Sequence, residues 1–366
     1  MAAVAGCAIA FSFSLSQAVA GVYWPSEIVA TPDGRIWFIN GEGAVGVLDP
    51  LSGGITQHVA PGRIGTNPRF AIDLVVADGQ VWVATGKGIA QLGGAGVVRE
   101  YSLGSGAAAI TRGPDGAIWA TLRDAQSIAR VTPDGGRAIW QTRPYKGYLE
   151  AIERGPDGNL WYADTGDILA RMDGGGPETF VRLGRITPHG KLKEWILGGS
   201  NTSPHDFVAG PDGRLWVAQA NADRIARVRV GPRLRAKIFN VPVGLRHPAS
   251  LVVGPDRALW FIGRRDGAIG RITTTGRFTK YPLPWKHSGL DPSLDPSPQS
   301  LTVGADGALW FTEDSRDLIV RMTMAGEMRV YPIAFLSGVA APGPLRTGLE
   351  ADGVPSAVEE SLLQPE

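Results

Sequence analysis

The residues of this chain best suited to chemistry are a few histidines and acids far apart in sequence. His205 and His247 carry imidazoles that exchange protons near neutral pH, the requirement for a general base. Glu150, Asp164 and Glu313 offer carboxylate oxygens of the kind that hold a hard divalent cation. His287, Trp285, Gln219, Asn40 and Arg69 would add hydrogen-bonding and ring surface for a ligand. No Gly-rich phosphate loop, serine nucleophile elbow or zinc spacing stands in a supporting context. The single cysteine, Cys7, excludes an internal disulfide framework and a cysteine-based zinc site. These groups can act together only if a fold gathers them.

The fold is written as a repeat. Trp37, Trp82, Trp119, Trp161, Trp216, Trp260 and Trp310 each follow a turn: Asp33-Gly34, Asp78-Gly79, Asp115-Gly116, Asp157-Gly158, Asp212-Gly213, Asp256-Arg257 and Asp306-Gly307. A second column carries a small residue and an arginine, as in Ile128–Val131, Leu183–Ile186, Ile225–Val228, Ile269–Ile272 and Ile319–Met322. Val45–Leu48 and Ile89–Leu92 are weaker versions. A third column is aromatic: Tyr101, Trp140, Trp195, Phe239, Tyr281 and Tyr331, with His58 in the same place in the first repeat. Each repeat thus offers four short strands, A to D, with the Asp-Gly turn joining A to B and supplying its positive-φ positions. Four strands in about 45 residues make a propeller blade. The predicted fold is all-β: a seven-bladed β-propeller of four-stranded antiparallel blades. Closure without strand exchange is the direct reading, with Val22–Trp24 joining the last blade as the alternative.

Strand order selects a face. The Asp-Gly turns lie at one end of the A–B hairpins, so the starts of A and the ends of B meet at the other, around the channel mouth. That rim is expected to hold Glu27, Asn40, Asp73, Thr85, Glu150, Asp164, His205, Asp206, Gln219, His247, Gln299, Glu313 and Asp314. The long connections 60–71 (with Arg69), 165–182 and 284–300 (with Trp285 and His287) crown it, which points to a small-molecule or peptide-like ligand at this mouth. His58 reads as packing, His189 as a solvated turn residue, and the arginine column as structural.

Repeats of the form GPDGALWFTE followed by GRITxxG and an aromatic strand resemble the virginiamycin B lyase family. Gly155–Ala163, Gly184–Leu197, Gly210–Ala218, Gly270–Leu283 and Gly304–Glu313 carry the resemblance, which covers about residues 25–333. It implies a seven-bladed propeller and a magnesium-dependent lyase that linearises a cyclic depsipeptide by eliminating across its ester bond. It also implies a Pro-His at the start of strand A in the penultimate blade, and in the last blade a Glu-x-His and a Glu after the Trp-Phe strand. Here those places hold Pro248-Ala249 with His247 just before, Ser297-Pro298-Gln299, and Glu313 or Asp314; a Pro-His stands one blade earlier, at Pro204-His205. Two other readings stay open: a non-catalytic propeller binding a ligand or protein on its rim, and a lactonase-like hydrolase with a central calcium held by Glu27, Asn40, Asp164 and Glu313.

The ends differ from the repeat. Residues 1–20 are apolar, uncharged and end in Ala18-Val19-Ala20, which reads as a secretory signal cleaved after Ala20. The alternative is a lipid anchor at Cys7. The propeller is expected over 21–338, and the Pro/Gly/Ala-rich, acidic 339–366 as a disordered tail. A secreted or periplasmic monomer with no transmembrane span follows, and the formal net charge of +1 gives no nucleic-acid signal.

Overall fold

The computed structural model describes residues 25–40, 44–59, 73–93, 96–122, 124–142, 147–167, 181–198, 204–285 and 295–333. Within them the chain forms seven antiparallel sheets of four strands, each in simple sequence order. The innermost strands are Ile28–Ala30, Leu74–Ala77, Ala107–Arg112, Gly147–Arg154, Pro204–Ala209, Pro248–Val253 and Pro298–Val303. Each contacts the next, and the seventh contacts the first. Two single-turn 3-10 segments, Ala220–Ala222 and Asp314–Arg316, are the helical elements among the described residues. Blade 7 meets blade 1 with all four of its own strands, so the ring closes without strand exchange among these residues. Val22–Trp24, the predicted signal, the tail, His287 and Arg69 lie outside them.

Blade packing explains the repeat columns. In five blades the turn aspartate accepts the indole N–H of the Trp four residues on, at 2.9–3.2 Å from Asp115, Asp157, Asp212, Asp256 and Asp306. Its other carboxylate oxygen takes the strand C arginine: Arg130, Arg185, Arg227, Arg271 or Arg321. These hydrogen bonds hold all five carboxyls below the usual range against the opposing effect of burial. Blades 1 and 2 place Val47 and Gln91 opposite Trp37 and Trp82, where the others have arginine. The aspartate is therefore conserved in the repeat for its side chain. Only in blade 2 are both turn residues left-handed, with Asp78 at φ 51° and Gly79 at 74°. Elsewhere the glycine alone is, and in blade 6 Arg257 stands there at 59°.

The small residue of strand C answers a close approach within its own blade. The ring after the Trp lies flat on it: a Cβ added to Gly184 or Gly270 would come 2.0 or 2.3 Å from Tyr162 or Phe261. Each strand B Trp then faces the strand D aromatic, with centroids 4.9–5.6 Å apart in blades 2 to 7. Faces are buried between blades, as where Trp310 and Tyr331 of blade 7 meet Ile28, Ile36 and Phe38 of blade 1. In blade 4 the expected B–C loop over 165–182 is shorter. Strand B runs to Asp167 and strand C starts at Val181, leaving 168–180 outside the described residues.

Candidate functional site

The channel is lined by one layer of residues in register on, or just before, the inner strands. Counting back four from the residue that opens each A–B turn gives Glu27, Asp73, Ala109, Ala151, Asp206, Ser250 and Ser300. The polar ones clamp blade to blade. Asp73 accepts the N–H groups of Leu74 and, on blade 3, Ile110, both at 2.8 Å. Asp206 accepts those of Phe207 and, on blade 6, Leu251, at 2.7 and 2.6 Å. Ser250 accepts the Leu301 N–H at 2.7 Å, and Ser300 donates to Glu27 at 2.8 Å. One layer further along, Thr111 donates to Glu153 at 3.0 Å. Four carboxyls thus share one narrow lumen. Burial pushes Glu153 and Asp206 each to about 7, with the neighbouring acids adding to the rise at Asp206. Burial, and next the charge of Glu27, raises Asp73 well above its ordinary range.

The rim above follows from the residue three past each Trp: Asn40, Thr85, Leu122, Asp164, Gln219, Gly263 and Glu313, all buried. Asn40 Oδ1 accepts the Ala44 N–H at 2.8 Å while its Nδ2 has no partner among the described residues. Gln219 Oε1 is likewise buried and unpartnered.

The richest polar cluster sits where blades 5, 6 and 7 meet at this rim. His247, just before strand A of blade 6, has a left-handed backbone at φ 60°. Non-glycine residues adopt this only where their surroundings hold them. The Asp223 carboxylate of blade 5 takes its N–H at 2.7 Å, and its carbonyl accepts the Arg264 N–H at 3.1 Å. Burial, then the positive charges of Arg264 and Arg265, pushes the imidazole below its ordinary pKa, so it is a neutral base at pH 7. Arg264 Nη2 donates to the Gln299 carbonyl at 3.3 Å, and its buried Nε has no acceptor among the described residues. Gln299 Nε2 donates to Asp314 at 3.0 Å and to the Ser297 hydroxyl at 2.8 Å. Glu313, 0% exposed, accepts the Ser297 N–H and the Ser315 hydroxyl on one oxygen, each at 2.7 Å; the other oxygen is unpartnered. Burial raises its pKa, against Ser297, Ser315 and Arg316. Arg316 lies 3.6 Å from Glu313 and 5.4 Å from the centre of the Trp285 ring.

The structure therefore unites His247, Gln299, Glu313 and Asp314 of the predicted rim and adds Trp285 from its crown. Glu150 and Asp164 lie on neighbouring strands of blade 4, three blades from Glu313. Among the described residues no three of His, Cys, Asp and Glu gather to hold a metal ion. At the place where magnesium would be expected, Gln299 turns its amide N–H toward the acids and Glu313 already faces Arg316, a donor set that does not fit a divalent cation. His205 stands at a bulge in strand A of blade 5, but its side chain is outside the described residues. His189 is exposed in its turn. Sequence reading missed Arg264, Asp223 and Glu153. The first could have been found as a cation one residue past the end of strand B, and the last as a lone acid two residues before a turn, where other blades carry Val or Thr.

The family model for the virginiamycin B lyase family matches residues 11–183 and 104–340. A streptogramin B lyase structure superposes with a TM-score of 0.65 at 24% identity, covering 81% of this chain and 93% of that one. A catalytically inactive virginiamycin B lyase from Staphylococcus aureus with quinupristin gives 0.54 at 23%, covering 89% of each. The WD40 propeller domain of Doa1 gives 0.57 at 12%, covering 82% and 92%. No curated protein matches the chain. Identities this low speak for the fold alone.

Proposed function

Because the chain belongs to the virginiamycin B lyase family, we propose that it opens ester-containing cyclic peptides or related small molecules by elimination at the mouth of blades 5 to 7. The observation that carries the reading is His247: a neutral imidazole at the mouth, held in a left-handed backbone by Asp223 and Arg264. In such a reaction the imidazole takes the proton from the carbon beside a carbonyl. The C–H pair becomes the new double bond, and the C–O pair leaves on the ester's carboxylate oxygen. His247 carries the proton away as imidazolium. No water enters, so the opened product has the mass of the substrate, whereas hydrolysis would make it one water heavier.

Mass spectrometry of quinupristin or another ester-closed cyclic peptide after incubation with the protein tests this directly. The expected product is a linear isomer with new alkene absorbance, lost in His247→Ala while the fold is kept. A product one water heavier, or full activity in His247→Ala, would refute it. A second reading, a propeller that binds such ligands without turnover, is favoured by Ser297 and Gln299 standing where the resemblance implies an acid and a histidine.

A further inference from the structure

Arg246, Arg264, Arg265 and Arg316 lie around the mouth of blades 5 to 7, and all of these but Arg264 have carboxylate partners. Arg246 pairs with Asp266 at 2.7 Å, Arg265 with Asp223 at 3.6 Å and Arg316 with Glu313 at 3.6 Å. Among the described residues no carboxylate comes within ion-pair distance of Arg264. Glu27 and Asp314 favour its charge from beyond ion-pair distance, and their hydrogen bonds go to other groups: Glu27 accepts the Ser300 hydroxyl and Asp314 the Gln299 amide. Burying a guanidinium without a counter-ion is costly, and its planar fork is the side chain best shaped for two parallel hydrogen bonds to a carboxylate. The Arg264 guanidinium has one long bond to a backbone carbonyl and a buried Nε with no acceptor among the described residues, and His247 of the same blade accepts the Arg264 backbone N–H.

We propose that Arg264 is the carboxylate-binding residue of this mouth and takes an anionic carboxyl group of the ligand where a divalent cation would otherwise stand. The proposal deepens the elimination reading and rests on it for one consequence: the ester's carboxylate oxygen, as it leaves, develops its charge against Arg264 beside His247. The ligand class is therefore a small or peptide-like molecule whose carboxyl group is esterified before the reaction and free after it.

Benzoate and benzamide share shape and differ in charge, so calorimetry with this pair on the full chain, in the presence of a metal chelator, reads the site without turnover. The expected result is benzoate binding about ten- to a hundredfold tighter than benzamide. Arg264→Gln removes the difference, Arg264→Lys weakens it severalfold because a point charge cannot form the fork, and Arg246→Gln keeps it. The proposal is overturned if benzoate does not bind at millimolar concentration, if the preference survives Arg264→Gln, or if Arg246→Gln abolishes it equally. Should Arg264→Gln fail to fold, the lysine variant decides: an unchanged benzoate-to-benzamide ratio overturns the proposal and a reduced one supports it. Loss of quinupristin turnover alone would sink the elimination reading and leave the benzoate preference standing, so the two failures are distinguishable.

Discussion

Replacing Glu153 by glutamine should stabilise the propeller in mild alkali and leave it unchanged in mild acid. Glu153 faces the channel among three other carboxyls, and burial lifts it from an ordinary 4.5 to about 7. Between those values the folded protein keeps a proton that the unfolded chain has released. Stability therefore falls as pH rises through that window, and the penalty is full above the folded value. The rise corresponds to roughly 3 kcal/mol between charged and neutral forms. Water entering the channel screens the charge and reduces this to about 1–2 kcal/mol. Glutamine keeps an acceptor for Thr111, bonded at 3.0 Å in the native protein, and removes the charge. Thermal melts of the two proteins at about pH 4 and pH 8 should show nearly equal midpoints in acid and a variant higher by about 2–5 °C in alkali. Groups that do not feel Glu153 cancel in the comparison of variant with native at each pH, while Asp206 and Asp73, whose rise the Glu153 charge adds to, are relieved with it and move stability in the same direction. An equal offset at both pH values, or a variant less stable at the higher one, would refute the reasoning.

Two further substitutions probe the repeat itself. Gly270→Ala places a methyl where the Phe261 ring already lies, 2.3 Å from the new carbon, and should cost about 1–3 kcal/mol in denaturant unfolding; adding Phe261→Leu should recover much of it. Arg257→Gly puts into the blade 6 turn the residue that the six other blades carry there in left-handed conformation. It should raise the unfolding free energy by roughly 0.5–1 kcal/mol, and a lower midpoint in the variant would count against the strain argument.

Fold and site were legible in the sequence to different degrees for physical reasons. The Trp, turn aspartate and strand C arginine recur because each blade repeats one hydrogen-bonded staple, so periodicity exposes blade number, strand order and the face where strand A begins. Gly184 and Gly270 show in the sequence only as the small residue of a column, because the group that approaches them, a ring on the neighbouring strand, is a matter of side-chain direction that spacing does not carry. The site breaks the repeat, and a departure in one blade has no periodicity to announce it. Glu313 and His247 were reached through their places at strand ends. Arg264 matters because it lacks the partner that Arg246, Arg265 and Arg316 each have, and a missing ion pair becomes visible only once the blades are set side by side. Glu150, Asp164 and Glu313 share a rim by strand order, but that order does not say how far around the ring they stand.

The contacts that shut the ring have a consequence for biosynthesis. The Ser300 hydroxyl reaches Glu27 across 273 positions of sequence, and the Thr312 hydroxyl reaches the Ser26 carbonyl across 286. A nascent chain emerging from the ribosome can stack blades one after another, each covering the last. The outer faces of the first and of the newest blade nevertheless stay wet until the final hairpin has been made. The slow, high-contact-order event thus waits for the seventh blade, and any product that stops short of it is a stack with two apolar faces open to whatever else the cell contains.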